Sequence, residues 1–320
     1  MDKKLLEELV YIAELYYVQG LTQAEISRRV HLHRTEISRM LKQARKLGIV
    51  QISINAGVEN IVPLEDFFVD QFHLKGALIV PANREVNTFQ SLGEFSSNLL
   101  NKLISNNTVI GLSWGKTLAN VIDQFQPTRK FSGNTVVPMI GGPIGHLKAN
   151  YQANKLVYTL SDKLNAKSEM LNSPAIVSLE SIKKELIANP NNAAVLHYWN
   201  SIDLALLGIG SSQIIDQSQW QEFYKDTDFA NIFTHSKAVG DMLSQPFTID
   251  GTLIKNSNHS VIGLPLSELK KVPNVVGIAD GKYKVESILG ALRTGILDYL
   301  ITTDITALAI KKLVESKSHM

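Results

Sequence analysis

The sequence predicts an α/β protein in two parts, a short helical module at the N-terminus and a larger domain built on a parallel β-sheet. Its 320 residues suit two domains, and a hydrophobic share of 44% supplies a sizeable core. Residues 21–54 carry two short helical patterns followed by a β-branched run. From residue 77 onwards, β-branched runs alternate with helical patterns, which is typical of parallel strands joined by helical crossovers.

The N-terminal module begins with a helical pattern over residues 3–18. Thr22 and Glu25 have the spacing of a capping box, so a second helix is expected to start at about residue 22. His31 and Leu32 interrupt it before a third run, whose apolar residues recur at helical spacing: Ile37, Met40, Leu41, Ala44 and Leu47. Two short helices joined by a tight turn predict a helix-turn-helix.

A β-strand is expected after the third helix. Gly48 should end that helix, and residues 49–54, IVQISI, have the composition of a strand. A strand in this place is the wing of a winged helix-turn-helix.

Positive charge is concentrated in the same module. Residues 27–48 contain seven Lys or Arg against one acid, a local balance of +6 in a chain whose net charge is only +2. The outer side of the third helix carries cationic or hydroxyl side chains, namely Arg34, Thr35, Ser38, Arg39, Lys42, Arg45 and Lys46. Such groups suit phosphates and base edges, which predicts a nucleic-acid partner. The alternative is a solvated basic helix in an ordinary helical domain.

The two domains are expected to divide near residue 56. Residues 55–57 form a plausible boundary, which gives domains of 1–56 and 57–320. Residues 58–75 then begin the larger domain as a linker helix with apolar residues at near-helical spacing. This helix could pair with its copy in another subunit or pack on its own domain.

The larger domain is predicted to be doubly wound and Rossmann-like. Its candidate strands are 77–80, 108–112, 136–140, 202–209, 275–279 and 299–302, and its candidate helices lie at about 89–105, 116–125, 152–164, 180–188, 283–295 and 304–315.

Composition excludes several classes of protein. The chain has no cysteine, which rules out disulfides, thiolate catalysis and Cys-based zinc sites. Its longest apolar runs fall short of a membrane span, and its charged N-terminus lacks a secretory hydrophobic region. We expect a cytoplasmic protein without a membrane partner.

Three glycine-rich turns follow candidate strands, at residues 111–117, 141–145 and 208–212. The first is one residue too short for a nucleotide-binding P-loop, which argues against ATP or GTP hydrolysis. The third has Gln213 where a dinucleotide fingerprint requires a small residue, which argues against NAD. No cofactor and no metal is predicted.

A simpler anion site remains possible in the first turn. Ser113, Gly115, Lys116 and Thr117 could hold one phosphate through hydroxyls, backbone amides and an ammonium group. The alternative is a tight turn without a ligand. Residues 239–243 and 278–284, interpreted as loops, add an acid and a lysine that could bind sugar hydroxyls or phosphate, or be solvated surface charges.

Several segments together resemble the SorC/DeoR-type sugar-binding transcriptional regulators. They are residues 21–27 (LTQAEIS), 37–45 (ISRMLKQAR), 48–52 (GIVQI), 113–118 (SWGKTL), 140–142 (IGG), 239–243 (VGDML) and 279–284 (ADGKYK). The resemblance runs almost end to end. Residues 19–23, 198–203 and 208–211 are most similar to regulators of sorbose and related hexitol operons. A relative that senses a phosphorylated quorum signal shares much of the pattern.

The resemblance implies a regulator of a carbohydrate operon that is switched by a phosphorylated sugar or polyol. It also implies a dimer or tetramer on double-stranded operator DNA. The residues predicted to contact DNA are Thr22, Gln23, Arg34, Thr35, Ser38, Arg39 and Lys42. The residues predicted to bind the effector are Ser113, Gly115, Lys116, Thr117, Gly141, Gly142, Asp241, Leu243 and Lys284.

The chain departs from the family pattern at four positions. His31 and His33 stand where the family usually has Gly and a small capping hydroxyl, and Lys116 stands where Arg is common. Asp280 replaces the first Gly of the usual Ala-Gly-Gly, which places an acid close to the expected phosphate.

The rival function is that of an enzyme, a sugar-phosphate isomerase or deaminase on a related scaffold. That chemistry needs a positioned general base, and Asp241 is the one acid the sequence nominates. His146, His197, His235 and His259 lack the spacing of metal ligands. An enzyme also has no use for residues 21–54, so the regulator is the preferred hypothesis.

Overall fold

The computed structural model describes residues 3–47, 49–50, 61–82, 88–143, 149–214, 236–254 and 260–317. The chain divides into two compact units, Met1–Glu59 and Asn60–Met320.

The first unit contains three α-helices, α1 (Lys3–Ala13), α2 (Gln23–Val30) and α3 (Arg34–Lys46), among its described residues. The single helix expected over residues 3–18 ends at Ala13 and continues as a π-helical turn, Glu14–Val18. Apolar side chains from all three helices form the core of this unit, among them Leu9, Ile12, Ile26, Ile37 and Leu41.

The predicted capping box at the start of α2 is confirmed. The Thr22 amide donates to Glu25 Oε2 over 2.8 Å, and the Glu25 amide donates to Thr22 Oγ1 over 3.3 Å. These bonds satisfy two donors that a helix start otherwise leaves without partners. The last helical residue of α3 is Lys46. The predicted wing lies largely outside the described residues, as does Gly48.

The second unit alternates helices and strands. Its first part contains α4 (Ile61–Phe72), β1 (Gly76–Val80), α5 (Thr88–Leu103), β2 (Val109–Leu112), α6 (Lys116–Gln124), β3 (Thr135–Pro138), α7 (Ala153–Leu164), β4 (Lys167–Ser168), β5 (Ile176–Val177), α8 (Glu180–Ala188) and α9 (Pro190–Tyr198). Its second part contains β6 (Leu204–Gly208), β7 (Ala238–Met242), β8 (Gln245–Thr248), β9 (Ser260–Val261), α10 (Leu266–Leu269), β10 (Asn274–Ile278), α11 (Val285–Arg293), β11 (Tyr299–Thr303) and α12 (Asp304–Lys317).

The main sheet confirms the predicted fold class. Over the described residues it has seven strands in the order β1-β11-β10-β6-β2-β3-β4, and every pair is parallel. Strands β3 and β4 are added on one side of β2, and β10 and β11 are added on the opposite side, beyond β6. The strand order therefore reverses between β2 and β6. In open α/β sheets, ligands bind beyond the carboxyl ends of the strands at such a reversal.

Alternating residues of the central strands enter two separate cores, one on each face of the sheet. In β6, Ala205 and Leu207 pack on one face, while Leu204 and Leu206 pack on the other. Helices cover both faces of the sheet, so the side chains on both faces of its strands are buried. This explains why the strands are continuous apolar runs in the sequence.

Helix α4 packs on its own unit. Leu64 and Phe68 are buried in the same core as Ile79 of β1. The Glu65 carboxylate accepts a hydrogen bond from the Ile79 amide over 2.9 Å, and burial raises the pKa of Glu65. The helix thereby covers an amide of an edge strand that would otherwise be open to pairing.

Two antiparallel pairs were not predicted, β5 with β9 and β7 with β8. Residues 239–243 were interpreted as a loop, which is wrong for Val239 to Met242, because they belong to β7. Helix α9 was also missed, although Asn189 caps it and Pro190 occupies its first turn, both of which are start signals.

Candidate DNA-binding surface and effector site

The third helix of the first unit has one buried and one exposed face. Ile37, Met40, Leu41 and Ala44 are buried. The opposite face exposes four cations, Arg34, Arg39, Lys42 and Arg45, and α2 exposes Arg28 and Arg29. Of the other predicted DNA contacts, Thr22 and Thr35 are exposed, and Gln23 and Ser38 are partly exposed. The predicted contacts therefore lie at the surface of this unit, and the charged ones form a cationic ridge along α3.

A histidine caps the start of α3. The His33 amide donates to Glu36 Oε2 over 3.1 Å, and His33 Nδ1 lies 2.8 Å from Thr35 Oγ1. His31 ends α2 in the left-handed conformation, with φ of 55°. The two departures at His31 and His33 are therefore compatible with a helix-turn-helix, in which Arg34 is the first residue of α3. Sequence reasoning could have found this start from Glu36, three residues after His33.

The corner between β2 and α6 consists of Ser113, Trp114 and Gly115. Gly115 precedes α6 with φ of 126°, a conformation that favours glycine. Lys116 is exposed and Thr117 partly exposed in the first turn of the helix. The first amides of a helix have no intrahelical acceptor and can hold an anion. The Gly115 amide donates to the Tyr151 carbonyl over 3.0 Å, so the groups that this corner could offer to an anion are those of the first turn of α6, including the side chains of Lys116 and Thr117.

Ser113 is engaged by the protein itself. Its hydroxyl donates to the Trp114 carbonyl and accepts from the Gly208 amide, both over 3.1 Å. The bond from the Gly208 amide joins the end of β2 to the end of β6. Ser113 thus holds the two sides of the strand reversal together, and its predicted contact with an effector stays a prediction.

Gly141 and Gly142 follow β3, and their amides donate to protein carbonyls. The Gly141 amide bonds Ile262 O over 2.9 Å, and the Gly142 amide bonds Ser173 O over 2.7 Å. A Cβ at Gly141 would lie 2.5 Å from the Pro174 carbonyl oxygen. Close backbone packing therefore gives a sufficient reason for glycine at position 141, and its predicted role near the phosphate stays untested.

Asp241 lies buried at the end of β7. Its Oδ2 accepts from the Ser244 amide over 3.1 Å. Burial raises the pKa of Asp241 to about 6, although the Ser244 amide and the Lys284 ammonium act in the opposite direction. Gly210, in the turn after β6, packs so closely that a Cβ there would meet Asp241 Oδ1 at 1.9 Å. The Asp241 carboxylate thus lies beside the turn that follows β6.

Leu243, predicted with Asp241, occupies a different environment. It and Ser244 are the two turn residues between β7 and β8, with φ of 50° and 54°. Such a turn normally carries Asn or Gly, because positive φ is costly for other residues. The Leu243 side chain is buried in the core. Leu243 thus anchors the β7–β8 turn in the core, and its predicted contact with a ligand stays a prediction.

Lys284 reaches the same corner from the β10 side. Its Nζ donates to the Ile209 carbonyl over 2.7 Å. Burial lowers the pKa of Lys284 to about 8, although the carboxylates of Asp241 and Asp280 act in the opposite direction. The carboxylate of buried Asp241 and the ammonium of partly buried Lys284 therefore interact beside the turn that follows β6.

The turns after β2, β6 and β10 belong to three neighbouring strands of the sheet. The turn after β2 carries Gly115, Lys116 and Thr117, and Lys284 follows β10; Asp241 comes from β7 and packs against Gly210 in the turn after β6. Over the described ranges, no group of three His, Asp or Glu side chains is arranged to hold a metal ion. No helix in those ranges is both long and apolar enough to span a membrane.

Comparisons with known proteins agree with this architecture. A family model for a sugar-binding domain matches residues 57–312. The sorbitol operon regulator of Klebsiella pneumoniae is 33% identical over 303 residues, covering 93% of this chain and 96% of the relative. The transcriptional regulator LsrR of Escherichia coli K12 is 28% identical over 307 residues, covering 95% and 94% of the two chains.

The solved structures give the same result. The full-length sorbitol operon regulator SorC from K. pneumoniae matches with a TM-score of 0.74 and 30% identity, over 96% of this chain and 99% of that chain. A DeoR family transcriptional regulator from Listeria monocytogenes matches with a TM-score of 0.69 and 30% identity, over 78% and 98% of the two chains. The chain therefore belongs to the SorC/DeoR-type family of sugar-binding transcriptional regulators.

Proposed function

We propose that the protein is a DNA-binding transcriptional regulator of a carbohydrate operon and that a phosphorylated sugar or polyol switches it. The observation that carries the proposal is the exposed cationic ridge along α3, in a chain whose α/β unit also has a glycine corner and a helix start at its strand reversal. Residues 1–56 form the DNA-binding domain, and residues 57–320 form the effector-binding and oligomerisation domain, with residues 58–75 connecting the two.

The DNA-binding part uses α3 as its recognition helix. Arg34 and Arg39 contact phosphates or guanine edges, and Lys42 contacts phosphate. Thr22, Gln23, Thr35 and Ser38 add hydroxyl and amide contacts. As a dimer or tetramer in the cytoplasm, the protein presents two or more such helices to the half-sites of a duplex operator.

The effector part binds its ligand without changing it. The first turn of α6, with Gly115, Lys116 and Thr117, holds the phosphate. Asp241 accepts hydrogen bonds from sugar hydroxyls and Lys284 donates to the ligand. Charge-assisted bonds of this kind are about twice as strong as neutral ones, which suits recognition of a small polar metabolite.

Binding of DNA can be tested by selecting duplexes from a random pool with the full chain and measuring affinity for the selected sequence at several salt concentrations. The proposal predicts one enriched sequence with two related half-sites and an affinity that falls steeply with salt, since cations replace counterions on the phosphates. Enrichment of no sequence would contradict the proposal.

Effector affinity should depend on pH at both ends of the neutral range. Asp241 has a pKa of about 6, so its carboxylate is the main form above that pH, and Lys284 has a pKa of about 8, so it is charged below it. Affinity measured calorimetrically from about pH 5 to about pH 9 should be highest between the pKa values of the two residues. Outside that interval, the titration of each residue should lower affinity by at most about tenfold per pH unit.

On the acid side of this profile, protonation of the ligand's phosphate, whose second pKa is about 6, also lowers affinity. Asp241→Asn removes the titration of the carboxylate and keeps that of the phosphate, so affinity should fall less steeply with decreasing pH in that variant. An affinity of the unaltered protein that stays constant above pH 8, the pKa of Lys284, would contradict the role of this residue.

The shifted pKa values of Asp241 and Lys284 favour a second candidate function. A carboxylate with a raised pKa beside a lysine with a lowered pKa is also what acid–base catalysis requires. The second candidate is therefore a sugar-phosphate isomerase or deaminase. Incubation of the purified protein with sugar and amino-sugar phosphates distinguishes the two, because an enzyme converts them and a sensor returns them unchanged.

A further inference from the structure

His33 lies immediately before the recognition helix α3, at a position where this chain departs from the family pattern. The family usually has a small capping hydroxyl there, whereas this chain has an imidazole ring. His33 is exposed, as are Arg34 and Thr35, the first two residues of α3. The ring is therefore at the surface, next to two of the residues predicted to contact DNA.

One nitrogen of the His33 ring is used inside the protein. Nδ1 accepts a hydrogen bond from the Thr35 amide over 3.4 Å and so caps the start of α3. The Thr35 hydroxyl lies 2.8 Å from the same nitrogen. Because a backbone amide can only donate, Nδ1 carries no proton, and the hydroxyl donates to it as well. The His33 amide is also engaged, since it donates to Glu36 Oε2 over 3.1 Å.

The cap decides the role of the second ring nitrogen. A neutral imidazole carries one proton, so a ring whose Nδ1 accepts has that proton on Nε2, which is then a donor. Nε2 is the ring nitrogen farther from the backbone. Within the described part of the chain, it bonds to no other group. His33 therefore presents a neutral N–H donor at an exposed position, on a ring that its cap bonds orient.

The usual capping residues do not supply this donor. Serine or threonine at a helix start caps with the hydroxyl oxygen, which is the last polar atom of the side chain. In His33 the ring continues beyond the capping nitrogen and ends in Nε2. This residue thus combines the helix cap with a second polar group that faces away from the helix backbone.

The location of His33 favours a phosphate as the acceptor. In a helix-turn-helix bound to DNA, the recognition helix lies in the major groove and the preceding helix crosses the sugar-phosphate backbone. His33 lies in the turn between α2 and α3, so it belongs to the boundary between groove and backbone. Arg28 and Arg29, which are exposed in the last turn of α2, favour the same phosphate-rich surroundings.

We propose that His33 is a further DNA contact, in which Nε2–H donates to a phosphate oxygen of the operator while Nδ1 caps α3. This inference rests on the proposed function, because it adds a residue to the same DNA-binding surface. The contact has a recognisable signature. A neutral donor releases no counterion from DNA, so it adds affinity without adding to the salt dependence, unlike Arg34 and Arg39.

The test replaces His33 with serine in the full chain, which keeps an oxygen to cap α3 and removes the ring. Affinity for the selected duplex is measured at about pH 8, at which a free imidazole is neutral. It should fall by about tenfold, as expected for the loss of one hydrogen bond to a charged group. The salt dependence, and the preference for the selected duplex over duplexes with single base changes, should stay as in the unaltered protein.

Two further variants separate the contact from the cap. His33→Thr keeps a capping oxygen, whereas His33→Ala removes the capping acceptor together with the ring. The alanine variant should have the lowest melting temperature of the three, but all three should bind DNA with similarly reduced affinity. An affinity that instead follows the melting temperature would show that His33 acts only through the cap, which overturns the inference.

His197→Ser is the matched control. His197 is an exposed histidine of α9 in the second unit, outside the DNA-binding surface. The same replacement at this position should leave the affinity for the selected duplex unchanged.

The outcomes also separate the inference from the proposed function. If the unaltered chain selects no duplex, the proposed function fails and the inference fails with it. If it selects a duplex that the His33 variants bind equally tightly, His33 makes no contact and the proposed function stands. A changed base preference in the serine variant would assign Nε2 to a base edge, and a weaker salt dependence would assign it to a charged contact. Either result contradicts a neutral contact with phosphate.

Discussion

Replacing Arg34 and Arg39 together with alanine is expected to lower affinity for the selected DNA by about 100-fold or more. Each contact of this kind contributes about 1–3 kcal/mol; Arg34 is the first residue of α3, Arg39 lies in its second turn, and both are exposed. The dependence of affinity on salt should also become weaker, because fewer counterions are released. Fluorescence anisotropy with labelled duplex measures both effects.

The same variant should keep its fold and its response to an effector. Arg34 and Arg39 are exposed, so their removal leaves the core of the first unit intact. Lys102→Ala with Lys184→Ala removes two exposed cations from the second unit and serves as the control, with little change in specific affinity expected. Loss of effector-induced thermal stabilisation together with DNA binding would indicate misfolding and contradict the separation of the two roles.

Combining Lys116→Ala with Thr117→Val should produce the reverse pattern. The variant loses an ammonium and a hydroxyl from the first turn of α6, and each hydrogen bond to a charged group is worth about 1.5–3 kcal/mol. Effector affinity should therefore fall by about 100-fold or more, while affinity for DNA in the absence of effector stays unchanged. The shift in melting temperature at a fixed ligand concentration reports the loss directly.

A matched control removes the same two groups elsewhere. Lys184→Ala with Thr159→Val deletes an exposed lysine of α8 and a threonine whose hydroxyl bonds its own helix, α7. This control should bind the effector normally. Unchanged affinity in the Lys116 and Thr117 variant would place the phosphate away from α6 and overturn the proposed site.

The parts of the fold that follow local rules could be predicted from the sequence. Strands of the parallel sheet, such as β6, are buried on both faces and appear as apolar runs. The start of α2 was predicted from the spacing of Thr22 and Glu25, and the structure has the reciprocal hydrogen bonds of this capping box. In these places the signal lies within a few residues, so no knowledge of tertiary contacts was needed.

The β7–β8 hairpin could not be predicted in this way. Gly240 and Asp241 are poor strand formers, and the turn at Leu243 and Ser244 lacks the expected Asn or Gly. Phe247, Met242 and the close approach of Gly240 to Ser287 hold the hairpin through distant parts of the chain. Tertiary packing therefore overrides local preference here.

The candidate site was predicted residue by residue, but its geometry was not. The sequence nominated Asp241 and Lys284 as separate charges, whereas their opposite pKa shifts arise because both are buried beside the turn after β6. The glycine at position 141 suggested a ligand, whereas the structure gives it a packing reason through Pro174. Burial and close approach are properties of the folded chain, which explains why sequence patterns missed them.

The most direct test of the central claim is the dissociation constant of the full chain for its selected DNA, measured with and without a saturating phosphorylated sugar or polyol that raises its melting temperature. If the protein couples DNA binding to effector binding, the constant should change by roughly 5- to 150-fold, and the ligand should be recovered intact. An identical constant in both conditions, or conversion of the ligand into another compound, would contradict the claim.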